Sequence, residues 1–152
     1  MITWRSPTDF EDPDARWGDE TNAYDDNTGS YADNLNIPVT SWGNDLILKR
    51  AALTCGRVRF YAWRSTHVNQ IDLDIYYDGA WHGLYQGDFT DKTWVEKVID
   101  PAKSVTKARV KFYNSDDGLA QDAYLYEFDF GELGDPDAPT DLEAEGQTNP
   151  ER

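Results

Sequence analysis

The chain has 152 residues, of which 14 are basic and 29 are acidic, and its formal net charge is −15. The length fits one domain with a short appendage, and the charge argues against nucleic acid or an anionic membrane as the main partner, because both attract clustered Lys and Arg. The single cysteine excludes an intramolecular disulfide and any zinc or iron–sulfur site that needs several cysteines of this chain.

The first half of the chain predicts loops followed by strands. Residues 6–34 are rich in Asp, Asn, Gly, Ser, Thr and Pro and predict loops and turns. A short apolar strand is predicted at 45–49, and a longer one at 54–64, where apolar residues alternate with Arg and Tyr. Alternation continues over 71–77, and the Asp-Gly pair at 78–79 is a strong signal for a β-hairpin.

The second half continues this pattern. Residues 93–99 predict a strand that Asp100-Pro101 stops, and 108–113 predict another. In a last strand at 123–130, we expect Tyr124, Tyr126, Phe128 and Phe130 on one face and Ala123, Leu125, Glu127 and Asp129 on the other. With about seven or eight strands and no helical periodicity, the pattern predicts an all-β fold, an antiparallel β-sandwich of the jelly-roll type.

After residue 131 the composition changes. The last part of the chain is acidic and contains little material for a core, so it predicts an extended acidic C-terminal arm. We therefore divide the chain into a sandwich domain at 1–131 and a tail at 132–152.

Two stretches carry a family resemblance. The loop at 22–32, NAYDDNTGSYA, resembles the early loop of galactose-binding-like, discoidin-type jelly-roll domains, and 126–131, YEFDFG, resembles their last strand. The stretch at 57–61, RVRFY, suits one of their central strands. Two positions depart from the family pattern, since Asp26 stands where Gly is usual and Ala32 where Trp is usual.

The tail carries a second resemblance. Residues 136–146 resemble the linker and first strand of a fibronectin type III domain. Domains of these two kinds follow one another in tailed-phage structural proteins and in secreted glycan-active enzymes, so the resemblance implies either setting.

The family resemblance implies a structural calcium ion. In the family, the early loop and a glutamate of the last strand close around Ca²⁺, and the matching positions here are Asp25, Asn27, Ser30 and Glu127. The loop offers carboxylate, carbonyl and hydroxyl oxygens, which are the ligands that Ca²⁺ prefers. The alternative is a plain Asx turn in the loop, with Glu127 facing solvent.

A glycan site is the second candidate. Such sites stack the apolar face of a pyranose on Trp or Tyr and hold its hydroxyls with polar side chains. Trp42, His67, Trp81, His82 and Tyr85 come from predicted loops or hairpin ends, where they could gather. The alternative for Trp81 is packing across its hairpin.

The sequence favours a protein without enzymatic activity. It contains none of the common catalytic motifs of hydrolases, metalloproteases or nucleotide-binding enzymes. Cys55, the one thiol, is best explained as a small buried hydrophobic residue.

Two functional hypotheses follow. In the first, the protein is a structural component of a tailed-phage virion, either a capsid decoration protein or a head- or tail-fibre part. It would lie on the virion surface as a homo-oligomer and dock on capsid or tail subunits through its acidic arm. The alternative is a calcium-stabilised carbohydrate-binding or adhesion module of a secreted, extracellular protein. We expect no signal peptide, because the first residues lack the basic and apolar regions of one, and this expectation favours the first hypothesis.

Overall fold

A computed structural model describes residues 1–134. The strands are β1 Ile2–Arg5, β2 Asp9–Glu11, β3 Trp17–Gly18, β4 Ala32–Ile37, β5 Ser41–Trp42, β6 Leu46–Ala62, β7 Val68–Tyr77, β8 Ala80–Asp88, β9 Trp94–Asn114 and β10 Gln121–Leu133. Glu20–Tyr24 form a short 3-10 helix. No helix in this part of the chain is long and apolar enough to span a membrane.

The strands form an antiparallel sandwich in which β6 and β9 each contribute to both layers. Residues 46–49 of β6 pair with 107–110 of β9, and 57–61 pair with 94–98. A register shift after Lys49 marks the point where β6 leaves one layer for the other. Layer one runs in the order β3-β4-β10-β6-β9, and layer two in the order β8-β7-β9-β6, with β2 on the outer edge of β6. The predicted β-sandwich is confirmed.

Strand β9 does not stop at Asp100-Pro101, so that prediction is wrong. The strand continues to Asn114, and its pairing with β6 is interrupted between Val98 and Lys103. Pro101 lies in this interruption, where its missing amide N–H removes no hydrogen bond from the ladder. A proline can therefore occupy a long strand at the place where the strand bends between the layers.

The core lies between the two layers. The residues that alternate with polar ones on β6, β7 and β9 are buried except Tyr77, which is partly exposed; the buried ones are Val58, Phe60, Ala62, Ile71, Leu73, Ile75, Ala108, Val110 and Phe112. Phe89, in the loop after β8, connects the layers because its ring centroid lies 6.0 Å from that of Phe60 and 5.6 Å from that of Phe112. These edge-to-face contacts are a favoured aromatic geometry.

The inward and outward alternation of side chains on β10 shifts by one residue partway along the strand, which the sequence pattern does not predict. A register shift between Leu125 and Glu127 places Leu125 and then Phe128 toward the core. The expected grouping of Tyr124 and Tyr126 with Phe128 and Phe130 is therefore wrong, because a bulge adds one outward residue. As a result Glu127 and Asp129 lie on the outer side of the strand, and both are nevertheless buried.

The end of β10 is paired with the N-terminus. β1 pairs with β10 from Ile2 opposite Leu133 to Arg5 opposite Phe130, and the amide of Gly134 donates to the carbonyl of Met1 at 2.6 Å. Strand pairing thus continues past residue 131. The rest of the predicted tail, including the fibronectin-like stretch at 136–146, lies outside the described residues.

Candidate functional site

The loop at 25–30 follows the 3-10 helix and is held by its own side chains. Asp25 accepts hydrogen bonds from the backbone amide of Asn27 at 3.1 Å and from the hydroxyl of Ser30. The side-chain carbonyl of Asn27 accepts from the amide of Gly29 at 2.8 Å. These are Asx-type contacts, and they direct several oxygen atoms toward β10.

Glu127 of β10 closes this loop rather than facing solvent. Its side chain is buried and accepts a hydrogen bond from the amide of Asn27 at 3.3 Å. Burial, followed by a hydrogen bond with Asp25, raises the pKa of Glu127 to about 9. Burial also opposes ionisation of Asp25, but hydrogen bonds from Ser30, Glu127 and Asn27 hold its pKa below the ordinary value. The structure therefore brings together all four residues that the resemblance implies as calcium ligands.

Two further carboxylates adjoin this group. Oxygen atoms of Asp26, Glu127 and Asp129 all lie within 4.8 Å of one another. Asp129 is buried and accepts from Arg59 through Nε at 2.9 Å and Nη2 at 2.8 Å. Burial raises the pKa of Asp129, and Arg59 opposes that shift. Sequence reasoning missed Asp26 and Asp129 as candidates, although the i, i+2 spacing of Glu127 and Asp129 was an available signal.

The donor set fits a hard cation. It offers four carboxyl groups, from Asp25, Asp26, Glu127 and Asp129, and the hydroxyl and carbonyl oxygens of the loop, and Ca²⁺ binds such oxygens. Two of the four carboxyl groups, those of Glu127 and Asp129, are buried, and buried carboxylates need a cation or hydrogen-bond donors for compensation. Arg59 compensates Asp129, whereas Glu127 has hydrogen bonds with the Asn27 amide and with Asp25 but no ion-pair partner among residues 1–134.

The residues predicted for a glycan site do not form one cluster. Trp81 and His82 are neighbours on β8, and strand alternation sends them to opposite faces. Trp81 lies beside Tyr76, with ring centroids 5.3 Å apart, and the Arg109 guanidinium lies 4.3 Å from its ring centroid. His82 stacks on Tyr77 at 3.8 Å. Trp81 therefore packs across its hairpin, which is the alternative expected for it.

The remaining three residues are also separate. The Trp42 ring on β5 packs against that of Tyr113 at 5.2 Å. His67 lies in the loop before β7, with Nε2 3.7 Å from a carboxylate oxygen of Asp116. Tyr85, on the inner side of β8, reaches a cleft that the sequence did not reveal.

That cleft, of about 540 Å³, opens at the end of the sandwich where β6 and β8 end and β9 begins. It is lined by Arg64, Asp88, Phe89, Thr90, Asp91, Val95 and Lys97. Phe89 belongs to the core, and Val95 packs against it, so these two side chains give the cleft an apolar floor. Its volume lies within the range of small-molecule sites, which is roughly 300–1,000 Å³.

Polar groups surround this floor. The Lys97 ammonium lies 3.5 Å from the centroid of the Tyr85 ring, and the Tyr85 hydroxyl donates to the Asp88 carbonyl at 2.6 Å. The carboxylate of Asp91 accepts from the backbone amide of Arg64 at 2.8 Å. Within the described part of the chain, the Arg64 guanidinium and the Asp88 carboxylate form no ion pair. The cleft therefore offers a cation, an anion and an apolar surface to a ligand.

Cys55 has the environment of a small core residue. It is buried, its Sγ lies 3.2 Å from the Arg57 carbonyl oxygen, and burial raises its pKa to about 11. A thiol with such a pKa is not an activated nucleophile.

Comparison with known proteins defines the fold. By sequence, the chain matches no protein-family model and no curated protein. The structure is similar to the family 32 carbohydrate-binding module of AlyQ, solved in complex with 4,5-unsaturated mannuronic acid, with 11% identity, a TM-score of 0.63 and coverage of 84% of this chain and 97% of that chain.

Two further structures are similar. One is the family 32 module of C. perfringens NanJ in complex with galactose, with 10% identity, a TM-score of 0.57 and coverage of 87% and 93%. The other is the C-terminal domain of a Bacteroides fragilis chitobiase, with 15% identity, a TM-score of 0.59 and coverage of 88% and 100%. At such low identity the likeness defines the fold alone. The chain has the galactose-binding-like jelly-roll fold, as its two short motifs predict.

Proposed function

We propose that the protein is a carbohydrate-binding module that seats a sugar in the cleft at the loop end of the sandwich. The observation that carries this proposal is the cleft itself, in which Arg64 and Asp88, without ion-pair partners among residues 1–134, flank an apolar floor. A pyranose has an apolar face and a ring of hydroxyl groups, so both surfaces of the cleft find a counterpart in it. Similar structures solved with galactose and with an unsaturated mannuronic acid support this proposal.

In the proposed mode of sugar binding, three polar side chains of the cleft hold the ligand. Arg64 and Lys97 donate hydrogen bonds to sugar hydroxyls, and Asp88 accepts them. Charge-assisted hydrogen bonds of this kind are the stronger ones. The protein binds without catalysing a reaction, and its part is to retain the glycan.

We also propose that the cluster around Glu127 binds Ca²⁺ as a structural ion. The ligands are drawn from Asp25, Asn27, Ser30 and Glu127, with Asp26 beside them. The ion would connect the loop to β10 and displace the proton that burial and the hydrogen bond with Asp25 keep on Glu127 in the absence of a cation. Its role is to fix the loop.

The virion hypothesis is not carried forward as a proposal. The similar structures that name a ligand are sugar complexes, which supports the carbohydrate-binding alternative over the virion role. The predicted homo-oligomer, the capsid or tail partners and the location at the virion surface stay predictions.

A glycan array tests the proposed function. The wild-type protein should bind defined glycans, and Arg64→Ala with Asp88→Ala should weaken binding about tenfold or more, because two central polar contacts are lost. The matched control, Glu11→Ala with Lys49→Ala, removes a surface ion pair outside the cleft and should bind as the wild type does. Absence of wild-type binding to every glycan would overturn the proposal.

Thermal unfolding tests the calcium site. Calcium chloride should raise the Tm of the wild-type protein by about 4 °C or more relative to EDTA, because an ion that binds only the folded state stabilises it. Asp25→Ala with Glu127→Ala should remove this rise, whereas Asp72→Ala with Asp122→Ala, the matched control, should keep it. A wild-type Tm that calcium leaves unchanged would contradict the site.

A further inference from the structure

The outer face of layer one carries a row of aromatic rings that we call the aromatic platform. It consists of Trp94 on β9, Tyr61 on β6, Tyr126 on β10 and Tyr31, which immediately precedes β4. Along the row, neighbouring ring centroids are 5.6, 5.8 and 5.2 Å apart. Since each ring comes from a different neighbouring strand, the spacing follows the separation of about 4.8 Å between strands.

Two more rings widen the platform at one end. Tyr124 lies 4.3 Å from Tyr31, and Trp63 lies 5.0 Å from Tyr124, measured between ring centroids. Trp94 is 37% exposed, and the other rings are half-buried, so the platform is in contact with solvent. Rings on a sheet face more often fill a core, but here the core lies on the opposite side of the same strands.

Four polar groups of the platform rings have no hydrogen-bond partner in the described part of the chain. The hydroxyl groups of Tyr31, Tyr61 and Tyr126 and the indole N–H of Trp94 form no hydrogen bond with any residue in 1–134. A partner that covered these rings with apolar groups alone would leave four polar groups without partners, and such burial is costly.

The arginines beside the Trp94 end of the platform are already paired, whereas the Asp33 and Asp122 carboxylates next to Tyr124 form no ion pair among residues 1–134. Arg59 lies 3.8 Å from the centroid of the Trp94 ring and binds Asp129 at 2.8 Å, and Glu96 binds Arg57 at 2.8 Å. An anionic ligand would therefore find neither arginine free and would meet these carboxylates. The surface instead suits a neutral ligand that offers both C–H faces and hydroxyl groups.

We propose that the platform binds an extended neutral polysaccharide chain, with successive sugar rings lying along the row. This inference rests on the proposed function and adds a second site to it. The platform is distinct from the cleft, because strand alternation on β9 sends Trp94 to the outer face and Val95 toward the core and the cleft. The cleft would hold a chain end or a single sugar, and the platform the interior of a chain.

Affinity gel electrophoresis tests the platform. The probes are soluble neutral polysaccharides, namely galactan, galactomannan and hydroxyethyl cellulose, each cast into a native gel. The platform variant, Tyr61→Ala with Tyr126→Ala, should bind the retarding polysaccharide about tenfold or more weakly than the wild type, because stacked aromatic residues dominate such contacts. The matched control, Tyr76→Ala with Tyr113→Ala, removes two tyrosines from the outer face of layer two and should migrate as the wild type does.

Loss of binding must be distinguished from loss of folding. Trp94→Ala removes the most exposed ring and serves as the test if the double variant shows a lowered Tm. Wild-type retardation that both platform variants retain would overturn the platform and leave the proposed function intact. Wild-type binding on the glycan array without retardation by any of the three polysaccharides would also overturn the platform and leave the proposed function intact. Absence of wild-type binding in both assays would overturn the proposed function and the platform with it.

Discussion

Glu127 was identified as a site residue from the sequence, whereas the burial of Asp129 became visible only in the structure. The resemblance identified Glu127, because the glutamate stands out among Tyr and Phe in a recognisable last strand. The burial of Asp129 could not be predicted, since it depends on Arg59 and on the N-terminal segment that carries Ser6. Contacts between residues so distant in sequence are set by the fold, and no local pattern reports them.

The Asp45 carboxyl group is expected to lower the stability of the fold at neutral pH. Burial raises its pKa, although Arg109 and Lys111 oppose the shift. A carboxyl group whose pKa is higher in the folded than in the unfolded state costs stability once the pH exceeds the unfolded value, which is about 3.9. Asp45→Asn should therefore raise the urea midpoint at pH 7.

Comparison across pH provides the control. At pH 3, where the wild-type side chain is protonated in both states, the midpoints of Asp45→Asn and the wild type should coincide. Equal midpoints at pH 7, or a gap that persists unchanged at pH 3, would show that ionisation of Asp45 does not oppose folding.

At the scale of elements, alternation located the strands and their inward faces well. The alternating apolar residues of β6, β7 and β9 are buried, apart from the partly exposed Tyr77 at the end of β7, because a period of two directly encodes the two faces of a strand. The same pattern failed at the bulge in β10 and at Asp100-Pro101. A bulge and a bend between layers are features of strand pairing, so they need the neighbouring strand to be known.

Gly131 on β10 lies at a point of close approach between strands. A Cβ at this position would lie 2.9 Å from the Arg57 backbone carbonyl oxygen and 3.0 Å from the Ile2 side chain. Gly131→Ala should therefore force a backbone shift and lower the free energy of unfolding by about 1–3 kcal/mol. The matched control is Gly83→Ala on β8, where the nearest atom of another residue, in Asp74, lies at an ordinary 3.7 Å. Urea unfolding should show a larger loss for the first variant, and equal losses would contradict the close approach.

At the scale of the whole molecule, the proposed sites occupy different parts of one sandwich. The cleft lies at the loop end, the platform on the outer face of layer one, and the Glu127 cluster beside that platform. Of the cleft, sequence reasoning found only the neighbouring Tyr85. The cleft residues come from the segment after β6, the end of β8 with the loop that follows it, and the start of β9, and these meet only once the paths of the strands are fixed.

Binding of a sugar in the cleft can be observed residue by residue with NMR. The ¹⁵N-labelled protein is titrated with galactose and with the strongest ligand found on the glycan array. We expect the largest amide shift changes at Arg64 and at Asp88–Asp91, with saturation that yields one Kd. Unchanged amide shifts with every sugar, or changes confined to residues remote from the cleft, would contradict the claim.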